Sequence, residues 1–295
     1  MDYKEIYQNY TEIIENWLNH YTAYKDCPEK VIYESMNYSL LAGGKRLRPV
    51  LSLAVCDLIE GDYDDVLPFA CALEMIHNYS LIHDDLPCMD NDDFRRGKPT
   101  NHRVFGQAIA VLAGDGLLNR AFELMLEEVS KDDKDCYLRS KAALLIAKAA
   151  GTSGMIGGQV IDIKSEGRHI NQEELLNMHK KKTGALIKAS ILFPAELYDT
   201  SVSIKKCLSD YAENIGLAFQ IKDDILDHEG NISVVGKPTG SDTKNNKSTF
   251  VTLMGLDTAK ELLREKVNLA VKALENVNNS DFLIKTAYFI ADRDK

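Results

Sequence analysis

Two groups of carboxylates carry the chemistry written into this chain. Asp84 to Asp93 holds five aspartates in ten residues, and Arg95-Arg96 follow at once. The first group reads D-D-x-x-x-x-D over 84–90; the second, D-D-x-x-D over 223–227, begins 139 residues later. Carboxylates crowded this closely repel one another. A dense cluster beside paired arginines suits hard cations on one side and phosphate oxygens on the other. A solvated acidic loop would carry the same run, so the second group matters. Asp223 and Asp227 are four apart, on one face of a helix at neighbouring turns. Like charges at that spacing destabilise a bare helix, and a bridging cation removes the conflict. Oxygen-only ligands suit Mg²⁺, which keeps its waters and is completed by substrate phosphates. On a straight helix Asp90 would lie about 120° around the axis from Asp84. Either both sides of the acid group are used, or Pro87 bends the segment.

The elements that must position these acids read as helices. Residues 3–24 place Ile6, Tyr10, Ile13, Ile14, Trp17, Leu18 and Tyr21 at spacings of three and four. A second helix spans Glu29 to Leu41. Gly43-Gly44 form a plausible C-cap, and Pro49 suits the first turn of a third helix reaching about Glu60. Lys45, Arg46 and Arg48 at that helix start oppose its dipole. They are either a cluster tolerated by solvent or one side of an anion site. Phe69 to Ile82 is an apolar helix carrying Glu74 and His77, and a lone histidine there is most often core. Gly97 to Asn101 reads as loop. Helices follow at 106–129, Tyr137 to Ala150, 172–197 and 204–229, and again from about Thr258.

Gly151 to Asp162 sets four glycines in helical surroundings, which points to close helix contact; Gln159 and Asp162, one turn apart, could face a polar cavity together. Of Lys180, Lys181 and Lys182, at least one could turn inward. Residues 229–249 are the one long irregular stretch, with Lys237 and Lys247, and could close over bound phosphate. Period-two alternation is almost absent, so the expected fold is all-α. With 295 residues, 45% of them hydrophobic, and no linker-like stretch, one domain over 1–295 is expected.

A net charge of -10 argues against a nucleic-acid partner. Any anionic substrate must be received by local Lys and Arg, and by metal, rather than by the overall field. The six cysteines, at 27, 56, 71, 88, 136 and 207, make no C-x-x-C pair. They read as reduced thiols of a cytoplasmic protein. The first residues lack a basic and apolar leader pattern, and no membrane span is expected.

Taken in order, the motifs resemble those of the trans-prenyltransferases, the isoprenyl diphosphate synthases. They are GGKRLRP at 43–49, the acidic motif with RRG at 84–97, GGQVID at 157–162, KTG at 182–184, FQIKDDILD at 219–227, Gly236-Lys237 and Lys247-Ser248-Thr249. Together they span nearly the whole chain. The resemblance implies a helical bundle of the isoprenoid synthase type around a deep cavity, usually a homodimer. It implies an allylic diphosphate bridging the two acidic motifs through three Mg²⁺ ions, with Mn²⁺ as a substitute. Asp84 and Asp90 would hold two ions and Asp223 the third, assisted by Asp85 and Asp227. Arg95, Lys182 and Lys237 would neutralise its phosphates, with Lys247 nearby. Thr183 and Gln220 would stabilise the allylic carbocation. Isopentenyl diphosphate would bind Lys45, Arg48, His77 and Arg96, and the released diphosphate would take the proton.

Product length should follow from what lies one turn upstream of Asp84, namely Tyr79 and Ser80. An aromatic Tyr79, with the two extra residues in the first motif, resembles the farnesyl-producing bacterial branch. It predicts a floor that stops elongation at farnesyl length. Longer-chain synthases, such as geranylgeranyl diphosphate synthases, share every catalytic motif and differ only at that floor. A terpene cyclase would not need GGKRLRP. A metal phosphohydrolase would want further histidine ligands, and the seven histidines show no such spacing. A non-catalytic subunit would have lost a motif. Asp92 and Asp93 are left to shape the turn and hold the arginines.

Overall fold

A computed structural model describes residues 2–24, 26–131, 135–229 and 248–293. Among them the chain runs through α1 (Tyr3–Tyr21), α2 (Lys30–Leu40), α3 (Leu47–Leu58) and α4 (Tyr63–Asp84). A short ribbon, β1 (Phe94–Arg95) and β2 (Lys98–Pro99), leads to α5 (Asn101–Phe105), α6 (Gln107–Val129), α7 (Cys136–Ala150), α8 (Met155–Ser165) and α9 (Gln172–His179). A π-turn (Lys180–Gly184) joins α9 to α10 (Ala185–Leu197). Then come α11 (Val202–Glu229), α12 (Phe250–Met254), α13 (Leu256–Ala273) and α14 (Asp281–Asp292). The all-α expectation holds apart from the ribbon. Lys237 and Lys247 lie outside the described residues, as does most of the irregular stretch expected at 229–249.

The central element is α4. Asp62 caps it by accepting from the Asp64 N–H, and Val66 through Ile76 are buried without a break. A helix that is apolar all round must be enclosed. Here α3, α6 and α10 enclose it. Phe69 and Phe193 meet at a centroid distance of 5.9 Å at its heart. Truncating a ring like Phe69 to alanine costs about 3–5 kcal/mol, so this end of α4 is fixed. Its other end delivers Asp84 to a cavity. The second motif rides on α11, which is about 42 Å long at 1.5 Å per residue and packs on α10 and α13. At the N-terminus, Asp2 and Glu5 form a capping box, and Tyr10, Ile14 and Leu18 face inward.

Three local differences from the expected elements bear on the site. The helix expected over 172–197 is broken by the π-turn at Lys180–Gly184, an irregularity that recurs at functional sites. The expected loop after the first motif is a tight antiparallel ribbon, with Phe94 opposite Pro99 and Arg95 opposite Lys98. Its turn is Arg96-Gly97, with φ of 52° and 74°, a turn whose twist matches paired strands. Finally, the helix does not continue through Pro87. It ends at Asp84, and the Asp90 N–H donates back to the Asp84 carbonyl at 2.9 Å.

Against the expectation of no membrane span, one stretch among the described residues is long and apolar enough by length and composition. It is Cys136–Ser165, with 28% of its apolar window buried. Its helical runs, α7 and α8, are separated at residues 151–154.

Candidate active site

A cavity of about 330 Å³ opens beneath the end of α4. Asp84, Arg48, His77, Lys182 and Thr183 line its charged end. Tyr79, Met89, Ile156, Val160 and Ile163 line the rest. One chamber thus joins a polar head to an apolar body. A larger cleft of about 660 Å³ lies elsewhere, on the outer side of the π-turn. Neither acidic motif lines that cleft, so the smaller cavity is the candidate active site.

The first motif is assembled by its own neighbourhood. Burial raises the Asp84 carboxyl above its ordinary value; Lys182 opposes this, while Asp90 and Asp85 add to it. Asp85 has a different partner from the one expected of a metal ligand. Its carboxylate, 3% exposed, takes the Arg95 Nε at 2.8 Å to each oxygen and the Arg95 Nη2 at 2.5 Å. In this conformation Asp85 positions Arg95. Asp92 adds a 3.6 Å contact to Arg95, and Asp93 pairs with Arg103 at 3.1 Å. Asp92 thus touches one of the motif's arginines, whereas Asp93 holds Arg103 further along the chain.

Arg95 turns toward Asp85, whereas Arg96 donates to the Gly43 carbonyl at 2.5 Å. A Cβ on Gly44 would meet the Arg96 guanidinium at 2.8 Å, so the chain there must be glycine. This contact ties Arg96 to the GGKRLRP segment. The three cations of that segment then part company. Arg46 caps α3 in a left-handed conformation and is buried, bound to Glu74 and Glu15 at 2.7 Å each and to the Leu40 carbonyl at 2.6 Å. Its charge is answered inside the fold. Arg48 is different: its Nε is buried and makes no hydrogen bond. Burial lowers its proton affinity, and Arg96 lowers it further. Beside it, burial and then Arg48, Arg96, Arg95 and Arg46 hold His77 well below the usual histidine range. Lys45 is exposed next to them, and its carbonyl accepts from the Tyr7 hydroxyl at 2.5 Å. A buried guanidinium with an unused donor, among further cations, is suited to receive an anion.

The second motif is assembled from remote chain. Arg293 donates to Asp223 at 2.6 Å while stacking over Phe219 at 4.1 Å. Asp223 keeps 41% of its side chain exposed. The surrounding protein still raises its carboxyl above the ordinary value, against Arg293, Lys45 and Arg48. Asp224 faces the other way and accepts from the Phe250 N–H at 2.8 Å. Asp227 lies one turn beyond Asp223 on the same helix, half-buried.

The two sides meet through the π-turn. Lys182, the inward lysine, donates to Asp162 at 2.6 Å. Thr183 donates to the Gln220 carbonyl oxygen, one helical turn before Asp223. A Cβ on Gly158 would lie 2.2 Å from the Lys182 nitrogen, so α8 and the π-turn touch backbone to backbone. That explains one of the clustered glycines. Gln159 lines the cavity with its carbonyl oxygen buried and unsatisfied, and Asp162 is engaged by Lys182. Tyr79 and Ser80 both line the cavity; burial pushes the Tyr79 hydroxyl up to about 12. Tyr79 meets His83 edge-on at 5.7 Å.

Sequence reasoning did not find Arg293 or the lining role of His83. Arg293 is 70 residues from its partner and sits in no motif. His83 carries no motif spacing that would single it out in the sequence. The acids present only oxygen donors, and the raised carboxyls of Asp84 and Asp223 fit a divalent cation. Among the described residues no three His, Cys, Asp or Glu converge into a closed cage.

Residues 29–287 match the model of the polyprenyl synthetase family, and the chain belongs to that family. It is 46% identical over 282 residues to a farnesyl diphosphate synthase of Bacillus subtilis, covering 95% of each chain. It is 44% identical over 291 residues to a geranylgeranyl diphosphate synthase of Cyanophora paradoxa, covering 96% of this chain and 94% of the relative. Among solved structures it resembles an FPP/GFPP synthase from Zymomonas mobilis, with a TM-score of 0.88, 36% identity and 98% of each chain covered.

Proposed function

We propose that the chain is a Mg²⁺-dependent prenyltransferase working as one domain over 1–295. It condenses isopentenyl diphosphate with dimethylallyl and then geranyl diphosphate, giving farnesyl diphosphate and diphosphate. The observation that carries this is one cavity with Asp84, Lys182 and the unbonded Arg48 Nε at its head and an apolar body below.

In this reading Asp84, Asp90, Asp223 and Asp227 hold three Mg²⁺ ions, for which Mn²⁺ can substitute. Bound there, the metal supplies Lewis-acid activation of the diphosphate leaving group. Arg95, oriented by Asp85, and Lys182, oriented by Asp162, receive the allylic diphosphate; Lys237 and Lys247 join them. Arg48, Lys45, Arg96 and neutral His77 receive isopentenyl diphosphate. The allylic C–O bond breaks with its electron pair on the diphosphate. The Thr183 and Gln220 oxygens face the resulting carbocation with fixed dipoles. The isopentenyl double bond attacks it, and the departing diphosphate takes the proton lost from the new chain. The apolar wall then receives the lengthened product.

Tyr79 supports the farnesyl end-point. Its ring lies in the cavity just upstream of Asp84, with His83 beside it. The test is product analysis with isopentenyl and allylic diphosphates and Mg²⁺, with and without chelator. Farnesyl alcohol after dephosphorylation is expected from the native chain, and longer alcohols from Tyr79→Ala. An unchanged profile in Tyr79→Ala would refute the floor; a native geranylgeranyl product would favour the longer-chain reading. We also infer a cytoplasmic homodimer. The exposed apolar side chains Leu112, Leu126 and Leu144 on α6 and α7 are available to a second copy.

A further inference from the structure

The π-turn has two sides. Lys182 and Thr183 face the candidate active site. Lys180, Lys181 and Gly184 instead line the cleft of about 660 Å³ on its outer side, between α9, α10, α11 and α13. That volume lies within the range of roughly 300–1,000 Å³ that ligand sites occupy, and nothing in the proposed reaction uses it. Lys188 and Lys266 bring the amines to four, against the carboxylates of Glu173 and Glu213. The chain as a whole is at -10, so this local excess of cations runs against the global field. Two amines already have partners, Lys188 with Glu213 at 2.6 Å and Lys266 with the neighbouring Glu265 at 2.8 Å, which leaves Lys180 and Lys181 as the excess. The floor is apolar, formed by Leu176, Ala185 and Leu217.

His179 supplies an independent sign. It lines the inner wall, stacked on Phe250 at 5.3 Å, and neither ring nitrogen makes a hydrogen bond of ordinary geometry. Its ring also interacts with the Gln220 side chain on the active-site side, so it couples the wall of this cleft to the site. Its neighbours on the other side are Asp162 and Lys182 of the candidate active site.

We propose that this cleft is a second binding site, for an amphiphile with a phosphate head and an apolar body. Lysines 180, 181 and 266 take the head as point charges, and the leucine floor takes the body. Occupancy acts on catalysis through the π-turn. Gly158 leaves no room between α8 and the Lys182 backbone, so a shift of the turn toward the cleft must move Lys182 and Thr183. The kinetic consequence rests on the prenyltransferase reading; the binding itself does not.

The test uses dodecyl phosphate below its micelle concentration, titrated calorimetrically in excess chelator so that metal-dependent diphosphate binding is silenced. One molecule per chain is expected. Lys181→Glu/Lys266→Glu should weaken it at least tenfold, Leu217→Trp should also weaken it by filling the floor, and Arg48→Gln should leave it within twofold. Inorganic phosphate alone should bind at least tenfold more weakly. With Mg²⁺ and both diphosphate substrates, dodecyl phosphate should lower kcat without raising KM for isopentenyl diphosphate, and the double variant should resist it while turning over normally. No binding in chelator overturns the site, as does binding indifferent to the lysines and Leu217 or abolished by Arg48→Gln. Equal affinity for inorganic phosphate overturns the amphiphile. Binding without any change in kcat overturns the coupling. If the chain has no prenyltransferase activity at all, the calorimetric result still decides whether the cleft binds.

Discussion

The two acidic motifs look alike as text and are built by opposite means. The first is a loop that organises itself. Asp90 returns to the Asp84 carbonyl, Asp85 grips Arg95 ten residues away, and the ribbon turn sends Arg96 to the Gly43 carbonyl. The second is a stretch of plain helix that depends on remote chain. Asp223 is held by Arg293, and Asp224 is spent fixing the start of α12. A local device tolerates change elsewhere in the fold, whereas a remote one is exposed to anything that shifts the C-terminal helices.

Removing the leading acid on either side is the harshest way to break this comparison. Asp84→Ala and Asp223→Ala should each lose roughly 100-fold or more in kcat, with unchanged circular dichroism. If either variant keeps near-normal turnover in Mg²⁺, the two-sided site is wrong. Asp85→Asn tests whether the first motif is self-organised. It leaves Arg95 without its bidentate partner and should cost about 10- to 100-fold in kcat/KM. An equal loss of metal affinity, seen in the Mg²⁺ dependence, would show that Asp85 is a ligand after all.

A buried histidine stands behind each motif, and pH separates their contributions to stability. Burial lowers His179 to about 4 and holds His77 well below 6.5. Unfolded, both titrate near 6.5. Between that value and the folded one, the unfolded chain binds more protons, so stability must fall as the pH falls. The loss should start near pH 6.5 and, for His179, be complete near pH 4, at about 1 kcal/mol over the first full unit. Thermal unfolding from pH 7.5 to 4.5 should follow this slope, and His179→Gln should flatten part of it. A slope identical in the variant removes His179 from the account.

The smallest effect is expected at the remote clamp. Arg293→Gln frees Asp223 from a competing cation and should lower the Mg²⁺ concentration for half-maximal activity by about two- to fivefold, in line with a partly exposed ion pair. A weaker Mg²⁺ response would instead make Arg293 a support that holds Asp223 in place.

The motif residues were legible because their chemistry is in their types and spacing. The i,i+4 placement of Asp223 and Asp227 follows from helix geometry. The apolar run before Asp84 identified the buried α4, though it began earlier, at Tyr63, than the periodicity suggested. The π-turn was not legible, because one extra residue in a helical turn leaves no mark on a pattern of threes and fours.

The sequence by itself determined the helical class, the order of the motifs and which side chains could meet metal and phosphate. These depend on residue type and on spacings within a few turns. Only the tertiary structure decided their partners. Arg46 was taken by Glu74 and Glu15, whereas Arg48 kept an unused donor. Asp85 was assigned to Arg95, and Asp223 to an arginine 70 residues away. Those choices depend on which helices pack together. Burial then sets the cost of each unpaired charge, and neither packing nor burial is encoded in any short stretch of the chain.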